Sequence, residues 1–349
     1  MLYVRRFMLL MIGAYLLTLL LTFLLVSGFV PAEFQIEQGL FLFLPYWMVF
    51  IPLAIVAPIT FRFYRKLFFV LLLVSSLNAL QFFDRYEVNM ASPKAKSTSD
   101  QLRVLTYNRG GLKDVEFFKN YLEEVDADLM VFQESRRNSF GKALEGYQKI
   151  HCEGNFCIAS RYPFAVKEKF ERPRSKYNEI AATRYEIKLY RPLSYLSSKG
   201  KQDPEFSGIT LNLYNLHLDT PRSALESILR LDRSTADKIA ENYSDRHSES
   251  SFVSESARGQ DYALIMGDFN MVMKEPLYQT FWSGFKNAFS EQGQGFGYTK
   301  YTSWHGVRID HILCTDDISV QQAWIGPDFG GDHRPVIADL SFPNADLGL

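Results

Sequence analysis

The stretch Tyr262-Ala-Leu-Ile-Met-Gly-Asp-Phe-Asn270 joins a short apolar run to a glycine and two polar residues, Asp268 and Asn270. An apolar run of this length that ends at a turn-forming residue is typical of a buried β-strand. Asp268 and Asn270 would then lie at the end of a strand, on the edge of a sheet. Taken alone, the motif is also a good turn sequence, because glycine, aspartate and asparagine all favour turns. The choice between a strand end and a turn depends on whether an apolar run followed by such polar residues occurs elsewhere in the chain.

The arrangement does recur along the rest of the chain. Short apolar runs there end in, or directly follow, amide, acidic or imidazole side chains. These residues are Asn108, Glu134, His217, Asp310, Asp332 and His333. A single residue of this kind is usually structural, for example a surface acid or a satisfied histidine. The whole set indicates a site, because strand ends from distant segments converge on one edge of a sheet.

The residue types in this set predict the chemistry. Carboxylate and amide oxygens are suited to hard cations such as Mg²⁺ or Mn²⁺. Imidazoles beside them are suited to proton transfer and to phosphate contact. The sequence has no serine or cysteine nucleophile elbow at these positions. It therefore predicts a divalent-metal-dependent phosphoester hydrolase that uses water as the nucleophile.

The order of these motifs resembles that of the endonuclease/exonuclease/phosphatase superfamily. That superfamily includes pancreatic-type deoxyribonucleases, abasic-site endonucleases, inositol polyphosphate phosphatases and bacterial sphingomyelinases. The matching segments are Asn108, Gln133-Glu134, Ile158–Pro163, Asn215–His217, Gly267–Asn270, Arg308–Asp310 and Asp332–Val336. The resemblance extends from about Leu102 to Phe342, and the layout is similar to that of membrane-anchored bacterial envelope members. It implies a four-layer α/β sandwich, two mixed β-sheets flanked by helices, preceded by N-terminal transmembrane helices.

The resemblance also implies roles for the acidic and amide positions. Glu134 is expected to bind the metal directly, with Asn108 beside it as a ligand or a close neighbour. Asp310 is expected to complete the acidic cluster and either to contribute to metal binding or to position His217. Asp332 is expected to be a further metal ligand, or to fix the orientation of His333 next to it.

The remaining positions are expected to handle the phosphate and the proton. Asp268 would orient or activate the attacking water, and Asn270 would hold a phosphate oxygen. His333 would act as the base or as a phosphate contact. His217 would donate to the phosphate and stabilise the charge that develops on it.

The first third of the sequence predicts a membrane anchor over residues 1–90. Uncharged runs cover residues 7–30, 38–60 and 67–83. The first run has 24 residues and would reach about 36 Å as a helix, enough to cross a hydrocarbon layer of about 30 Å. A cleaved signal peptide is the alternative for this run. The third run is the shortest and carries Asn78 and Gln81, so its membrane crossing is the weakest prediction.

Basic residues near the runs predict the orientation. Arg5 and Arg6 precede the first run, and Arg62, Arg65 and Lys66 separate the second from the third. Because Lys and Arg are enriched on the cytoplasmic side, three spans in a bacterial inner or plasma membrane would place the domain that follows outside the cytoplasm. If the third run does not cross, that domain faces the cytoplasm instead.

The rest of the chain predicts a polar linker at residues 91–101 and a catalytic domain at residues 102–349. Residues 1–90 contain six basic and four acidic side chains within a total net charge of −1, so the remainder carries −3. A domain without an excess of positive charge does not attract long nucleic acid over its whole surface, although a local basic patch would still bind it.

The predicted substrate is therefore a phosphoester, either nucleic acid or a phospholipid head group. The lipid bilayer is the other predicted partner, and no obligate protein partner is evident. The alternative from another functional class is a non-catalytic membrane protein that uses the same fold for binding.

Three segments and two cysteines complete the sequence-based expectations. Residues 190–208 and 242–259 are polar and are expected to form solvated surface loops. The glycine-rich residues 292–301 are the better candidate for a substrate contact. Cys152 and Cys157 flank a plausible hairpin tip and are expected either to pair in an oxidising compartment or to remain free thiols.

Overall fold

The strands of this chain form two six-stranded sheets and one two-stranded ribbon in the computed structural model. The structure describes residues 2–27, 34–85, 101–135, 140, 144, 147–174, 179–189, 208–230, 235–301 and 305–342. The strands are β1 Leu102–Asn108, β2 Leu129–Gln133, β3 Lys149–Glu153, β4 Phe156–Ser160, β5 Phe164–Glu171, β6 Ile180–Leu189, β7 Ile209–His217, β8 Ala263–Asp268, β9 Lys286–Asn287, β10 Lys300–Tyr301, β11 Gly306–Val307, β12 Asp310–Cys314, β13 Ser319–Ile325 and β14 Val336–Ser341.

Both large sheets are mixed. The first has the order β13-β14-β1-β2-β4-β3, and the second has the order β5-β6-β7-β8-β12-β9. Each contains one parallel pair at its centre, β1 with β2 and β7 with β8, while the other pairs are antiparallel. Because the strands of a parallel pair run in the same direction, their carboxyl ends meet at one edge of each sheet.

The two sheets pack face to face, with helices on their outer faces. Val104 and Val131 of the first sheet share one core with Leu213 and Met266 of the second. The helices are α1 Leu2–Ser27, α2 Gln35–Phe41, a 3₁₀ helix Tyr46–Phe50, α3 Leu53–Phe63, α4 Arg65–Arg85, α5 Val115–Val125, α6 Arg222–Leu229, α7 Thr235–Arg258, α8 Pro276–Phe281 and α9 Ala288–Gln292. Helix α5 covers the first sheet, and α7 and α8 cover the second. The predicted four-layer α/β sandwich is confirmed.

Helix α7 corrects one prediction. The serine-rich residues 242–259 were expected to form a surface loop, but α7 continues through them to Arg258. Val253 and Ala257 pack into the core against the second sheet, and Ser250 and Ser254 are buried beside them. Serine has a weak helix propensity, but packing of one face outweighs it in this helix. Residues 190–207, the other predicted loop, lie outside the described part of the chain.

The N-terminal third is helical. Among the described residues, three stretches are long and apolar enough to cross a membrane: Tyr3–Ser27, Tyr46–Phe63 and Arg65–Phe83. Residues 28–30 of the first predicted run and residues 91–100 of the predicted linker lie outside the described residues.

The second predicted run is not one helix. Helix α2 ends at Phe41, and Pro45 and Pro52 then precede the 3₁₀ helix and α3. Proline lacks a backbone N–H and is best tolerated at the start of a helix, so a new helix starts directly after each of these two prolines. Pro58 lies inside α3. The part of the predicted run that precedes Pro45 is thereby separated from the helix that follows.

Asn78 has a structural role in helix α4. Its side-chain amide donates to the carbonyl of Leu19 in α1 at 3.1 Å, and its Oδ1 accepts from the Tyr46 hydroxyl at 2.8 Å. Polar side chains of this kind join helices where water is absent. The polar residue that weakened the prediction of a third span is therefore fully buried between helices.

The two cysteines left open by the sequence form a disulfide. Cys152 in β3 and Cys157 in β4 are directly paired across a two-residue hairpin turn, and their sulfurs are bonded. Cys314 is a free, buried thiol. A disulfide between directly opposed strand positions would be stable in an oxidising compartment.

Candidate active site

The register of the strands brings the predicted site residues to one edge of the sandwich. In the first sheet Asn108 lies opposite Gln133, which places Glu134 directly beside it. In the second sheet Asp268 lies between His217 on one neighbouring strand and Asp310 on the other. The two edges face each other because the two sheets pack face to face.

Asp268 lies at the centre of this group. Its Oδ2 accepts a hydrogen bond from the Asn108 amide at 2.9 Å, which joins the two sheets. The Nε2 atoms of His217 and His333 each lie 3.6 Å from the same oxygen. These two distances are too long for hydrogen bonds. Two imidazoles therefore converge on one buried carboxylate oxygen.

Glu134 lies beside Asn108 at the more open side of the site. The Asn108 amide also donates to Glu134 Oε1 at 3.1 Å, and the Glu134 side chain is 44% exposed. The backbone of Glu134 has φ +50°, a conformation that non-glycine residues rarely adopt and that often occurs at functional sites. A Cβ at Gly110 would lie 2.5 Å from Glu134 Oε2, so a side chain there would displace the Glu134 carboxylate.

Asp310 and His333 form a buried pair deeper in the site. Asp310 Oδ2 lies 2.8 Å from His333 Nδ1, and both side chains are almost completely buried. Burial alone would lower the pKa of His333, but the carboxylates of Asp310 and Asp268 outweigh it and raise that pKa to about 9. The Lys300 ammonium opposes this increase, because its Nζ lies 2.7 Å from His333 Nε2.

The donor set fits a divalent cation. Asp268, Asp310 and His333 each offer a ligand atom, and these atoms lie within 4.8 Å of one another. Asp310 Oδ1 is buried without a hydrogen-bond partner among the described residues, so it is free to bind an ion. Two buried carboxylates with an acid and an amide beside them match the oxygen ligands that Mg²⁺ and Mn²⁺ prefer.

Asp332 is not part of this donor set. Its Oδ2 pairs with Lys300 Nζ at 2.6 Å, and its side chain is 46% exposed. Asp310, and not Asp332, contacts His333 Nδ1, so the structure gives the orienting contact to a different acid. The metal role of Asp332 stays a prediction. Lys300 was not predicted individually, but it lies in the glycine-rich segment that was expected to contact the substrate.

Asn270 fixes the backbone at the end of β8. Its amide donates to the carbonyl of Leu218 at 2.9 Å, and its backbone N–H donates to Asp268 Oδ1 at 2.9 Å. Just before it, Gly267 has φ +148°, and a Cβ there would lie 1.9 Å from the carbonyl oxygen of Leu216. The close approach of β7 and β8 therefore requires glycine. The phosphate contact expected of Asn270 stays a prediction.

A polar cavity of about 840 Å³ opens beside Glu134 and His217. Its wall carries two arginines and several carboxylates. These residues are Arg172, Arg174, Glu134, Glu179, Asp219, Glu241, Asp245 and Glu249. The acids outnumber the arginines, so the cavity is better suited to a neutral or cationic group than to an anionic polymer.

Arg172 and Glu249 support the His217 segment from the wall of this cavity. Arg172 donates to the backbone carbonyl of His217 at 2.6 Å and pairs with Glu249 at 3.1 Å. Glu249 also accepts from the backbone N–H of Asp219 at 2.6 Å. Burial raises the pKa of Glu249 to about 7 despite the nearby arginine. No motif in the sequence indicates this pair, because its members belong to distant elements.

His311 is a structural histidine, although it follows Asp310 directly. It is fully buried, and its Nε2 donates to the carbonyl of Met271 at 2.9 Å. Burial lowers its pKa to about 3, so it stays neutral. The alternation of side chains along β12 points Asp310 and His311 to opposite faces.

Comparisons with known proteins agree with this fold. The model of the Endonuclease/Exonuclease/phosphatase family matches residues 105–333. A search of curated proteins found no relative of this chain.

Several solved structures are similar to this chain. An endonuclease/exonuclease/phosphatase family protein from Bacteroides thetaiotaomicron is 16% identical, with a TM-score of 0.50, over 72% of this chain and 99% of that one. A mannosyl-6-phosphatase of the same organism is 17% identical, with a TM-score of 0.48, over 69% and 100% of the two chains. A 3'-5' exonuclease from Neisseria meningitidis is 14% identical, with a TM-score of 0.46, over 69% and 100%.

The family match includes Asn108, Glu134, His217, Asp268 and Asp310 and ends at His333, so it covers the residues that the structure brings together. The chain belongs to the endonuclease/exonuclease/phosphatase family.

Proposed function

We propose that this protein is a divalent-metal-dependent phosphoester hydrolase held at a membrane. Members of its family hydrolyse phosphoesters and generally use divalent metals. The observation that carries the proposal is the convergence of Asn108, His217 and His333 on Asp268, with Asp310 and its unpartnered oxygen beside them. A structural role alone would not require two imidazoles aimed at one buried carboxylate.

Each residue of the site has a place in the proposed hydrolysis. Asp310, through its unpartnered Oδ1, would hold Mg²⁺ or Mn²⁺ beside Asp268 and His333, and Glu134 would add a further carboxylate from the open side of the site; the ion, when bound, would polarise a phosphoryl oxygen and neutralise charge. Asp268 orients the attacking water and accepts its proton. His217 donates from Nε2 to a phosphate oxygen as charge develops there. Asp310 fixes the His333 ring through Nδ1, so that Nε2 faces the phosphate.

We propose that the anchor lies in a bacterial inner or plasma membrane and that the catalytic domain lies outside the cytoplasm. The three apolar stretches are compatible with membrane association. Arg62, Arg65 and Lys66 lie between the second and the third and favour a cytoplasmic position for that junction. The disulfide between Cys152 and Cys157 supports an oxidising compartment.

A phospholipid head group is the candidate substrate that the structure favours over nucleic acid. Phe82 and Phe83, near the end of α4, contact Phe296 in the segment that leads to Lys300, with ring centroids 6.0 and 6.4 Å apart. The catalytic edge therefore lies near the end of an apolar helix. The excess of carboxylates in the adjacent cavity also disfavours a nucleic-acid backbone.

The test uses the full-length protein in detergent and in vesicles, with Mg²⁺, Mn²⁺ or EDTA. Bis-p-nitrophenyl phosphate, DNA, RNA and phospholipid vesicles are assayed in parallel. Cleavage that EDTA abolishes supports the proposal, and the substrate that is cleaved identifies the class. Cleavage of DNA or RNA alone would refute the lipid proposal. Folded protein without turnover on any substrate would favour the non-catalytic binding protein.

A further inference from the structure

The segment between α1 and α3 packs against the catalytic domain. We define residues 34–50 as the docking segment; it contains α2 and the 3₁₀ helix. Leu42 and Tyr46 of this segment form one buried cluster with Val272, Val307 and Ile309 of the catalytic domain. Ile309 directly precedes Asp310, and Val272 lies two residues after Asn270. The membrane-side part of the chain therefore contacts the backbone that carries the active site.

A polar contact adds to this apolar one. The His305 Nε2 atom lies 2.7 Å from the backbone carbonyl oxygen of Phe43, a distance that fits a hydrogen bond from the imidazole. Phe82 of α4 and Val26 of α1 belong to the same cluster as Leu42. The ends of two apolar helices and the docking segment thus meet the catalytic domain at one place.

Helix α2 covers a buried ion pair in the catalytic domain. Arg246 of α7 pairs with Glu275 at the start of α8, at 2.6 Å and 3.1 Å, and both side chains are at most 4% exposed. A Cβ at Gly39 of α2 would lie 3.3 Å from Glu275 Cγ and Oε1, so this glycine allows the close approach. Exclusion of water strengthens such a pair, but it also makes the pair sensitive to loss of its cover.

The same ion pair holds the active-site loop. The guanidinium of Arg246 donates to the backbone carbonyl of Asn270 at 2.7 Å. Asn270 in turn donates its backbone N–H to Asp268 Oδ1. A continuous chain of contacts therefore runs from Gly39 through Glu275, Arg246 and Asn270 to Asp268.

We infer that Arg246 and Glu275 are positioning residues for the loop of Asp268 and Asn270, and that the docking segment, by covering this pair, makes the anchor part of the active-site support. The inference rests on the proposed function, since its effect is measured in turnover. It assigns the N-terminal third a second role besides membrane attachment.

The test compares two glycines of the anchor in the full-length protein. Gly39→Ala and Gly39→Val add bulk against Glu275, whereas Gly13→Val adds it where nothing lies within 4 Å of the new Cβ. Gly39→Val is expected to lower kcat about tenfold or more, because small displacements of catalytic groups are costly. KM should change less, since the cavity beside Glu134 and His217 is untouched. Gly39→Ala should show a smaller effect, and Gly13→Val none.

Hydrogen–deuterium exchange of residues 268–275 provides a readout that does not need turnover. Gly39→Val should exchange faster there than the wild type, and Gly13→Val should not. Combined with Arg246→Lys, Gly39→Val should lower kcat by less than the product of the two single effects, because both act through one ion pair. Unchanged exchange and unchanged kcat in Gly39→Val would overturn the inference, as would faster exchange without a loss of kcat. A wild type without turnover would refute the proposed function, while the exchange data would still decide whether the anchor supports this loop.

Discussion

At the scale of single residues, the site depends on backbone positions that only glycine can occupy. Gly267 brings β8 close to β7, and a side chain there would collide with the carbonyl of Leu216. We expect Gly267→Ala to destabilise the protein by about 3 kcal/mol or more, through strain at a positive φ and overpacking. Gly284→Ala is the matched control, because nothing lies within 4 Å of its added Cβ. Thermal unfolding of both variants tests this, and equal stability would contradict it.

Glu134 provides the second prediction at this scale. Glu134→Gln keeps the hydrogen-bonding shape of the side chain but removes the charge that would hold a metal. Because even indirect partners of a metal site commonly contribute 10- to 100-fold, we expect kcat to fall by at least about 100-fold. The half-exposed side chain should leave the unfolding temperature unchanged. Measurement of kcat against Mg²⁺ concentration checks this, and wild-type kcat in the variant would remove Glu134 from the site.

At the scale of secondary-structure elements, the Arg172–Glu249 pair joins β5 and its following turn to α7. Burial holds the pKa of Glu249 at about 7, above its ordinary 4.5, so the folded protein takes up a proton in this range. The stability that comes from this proton is complete below about pH 4.5 and is lost as the pH rises through about 7.

The resulting prediction concerns the pH dependence of stability. Between about pH 5 and pH 8, the free energy of unfolding of the wild type should fall relative to that of Glu249→Gln, on the order of 1–3 kcal/mol. Glu249→Gln does not titrate and keeps the side-chain shape, so it isolates the contribution of this group. Unfolding of both proteins at the two pH values measures the difference. Parallel pH profiles would show that Glu249 does not titrate in this range.

The strand ends were predictable from the sequence because each combines an apolar run with a polar residue of distinctive chemistry. Asn108, His217 and Asp268 lie within one hydrogen-bonded or closely spaced group, as their positions at strand ends suggested. The partnership of Arg172 with Glu249 was not predictable, because it depends on how two distant elements pack. The extent of α7 was missed because its serines favour loops locally, whereas tertiary packing decides the helix.

At the scale of the whole molecule, the orientation of the domain can be measured directly. We expect a protease added to intact spheroplasts to digest the catalytic domain, because the three proposed crossings would place it outside the cytoplasm. A cytoplasmic marker protein, which must stay intact, controls for lysis. Protection of the catalytic domain until the cells are lysed would show that the third stretch does not cross or that the orientation is reversed.

The break at Pro45 and Pro52 shows why the anchor was only partly predictable. The apolar composition of residues 38–60 suggested one span, since prolines are tolerated in membrane helices. In the structure the first part of this run packs against Val272, Val307 and Ile309 instead. Hydrophobic composition alone does not distinguish a surface buried by lipid from one buried by another part of the same chain.

The docking segment and the ends of α1 and α4 would hold the catalytic domain in a fixed position on the anchor. A catalytic domain that packs on its own anchor has a fixed height and tilt relative to the bilayer. It would therefore reach only those substrates that lie close to the anchor. Substrates dissolved in the same leaflet would reach it by two-dimensional diffusion, so turnover would follow their mole fraction in the surface and not their bulk concentration. Such an enzyme would act only on lipids that diffuse into contact with it.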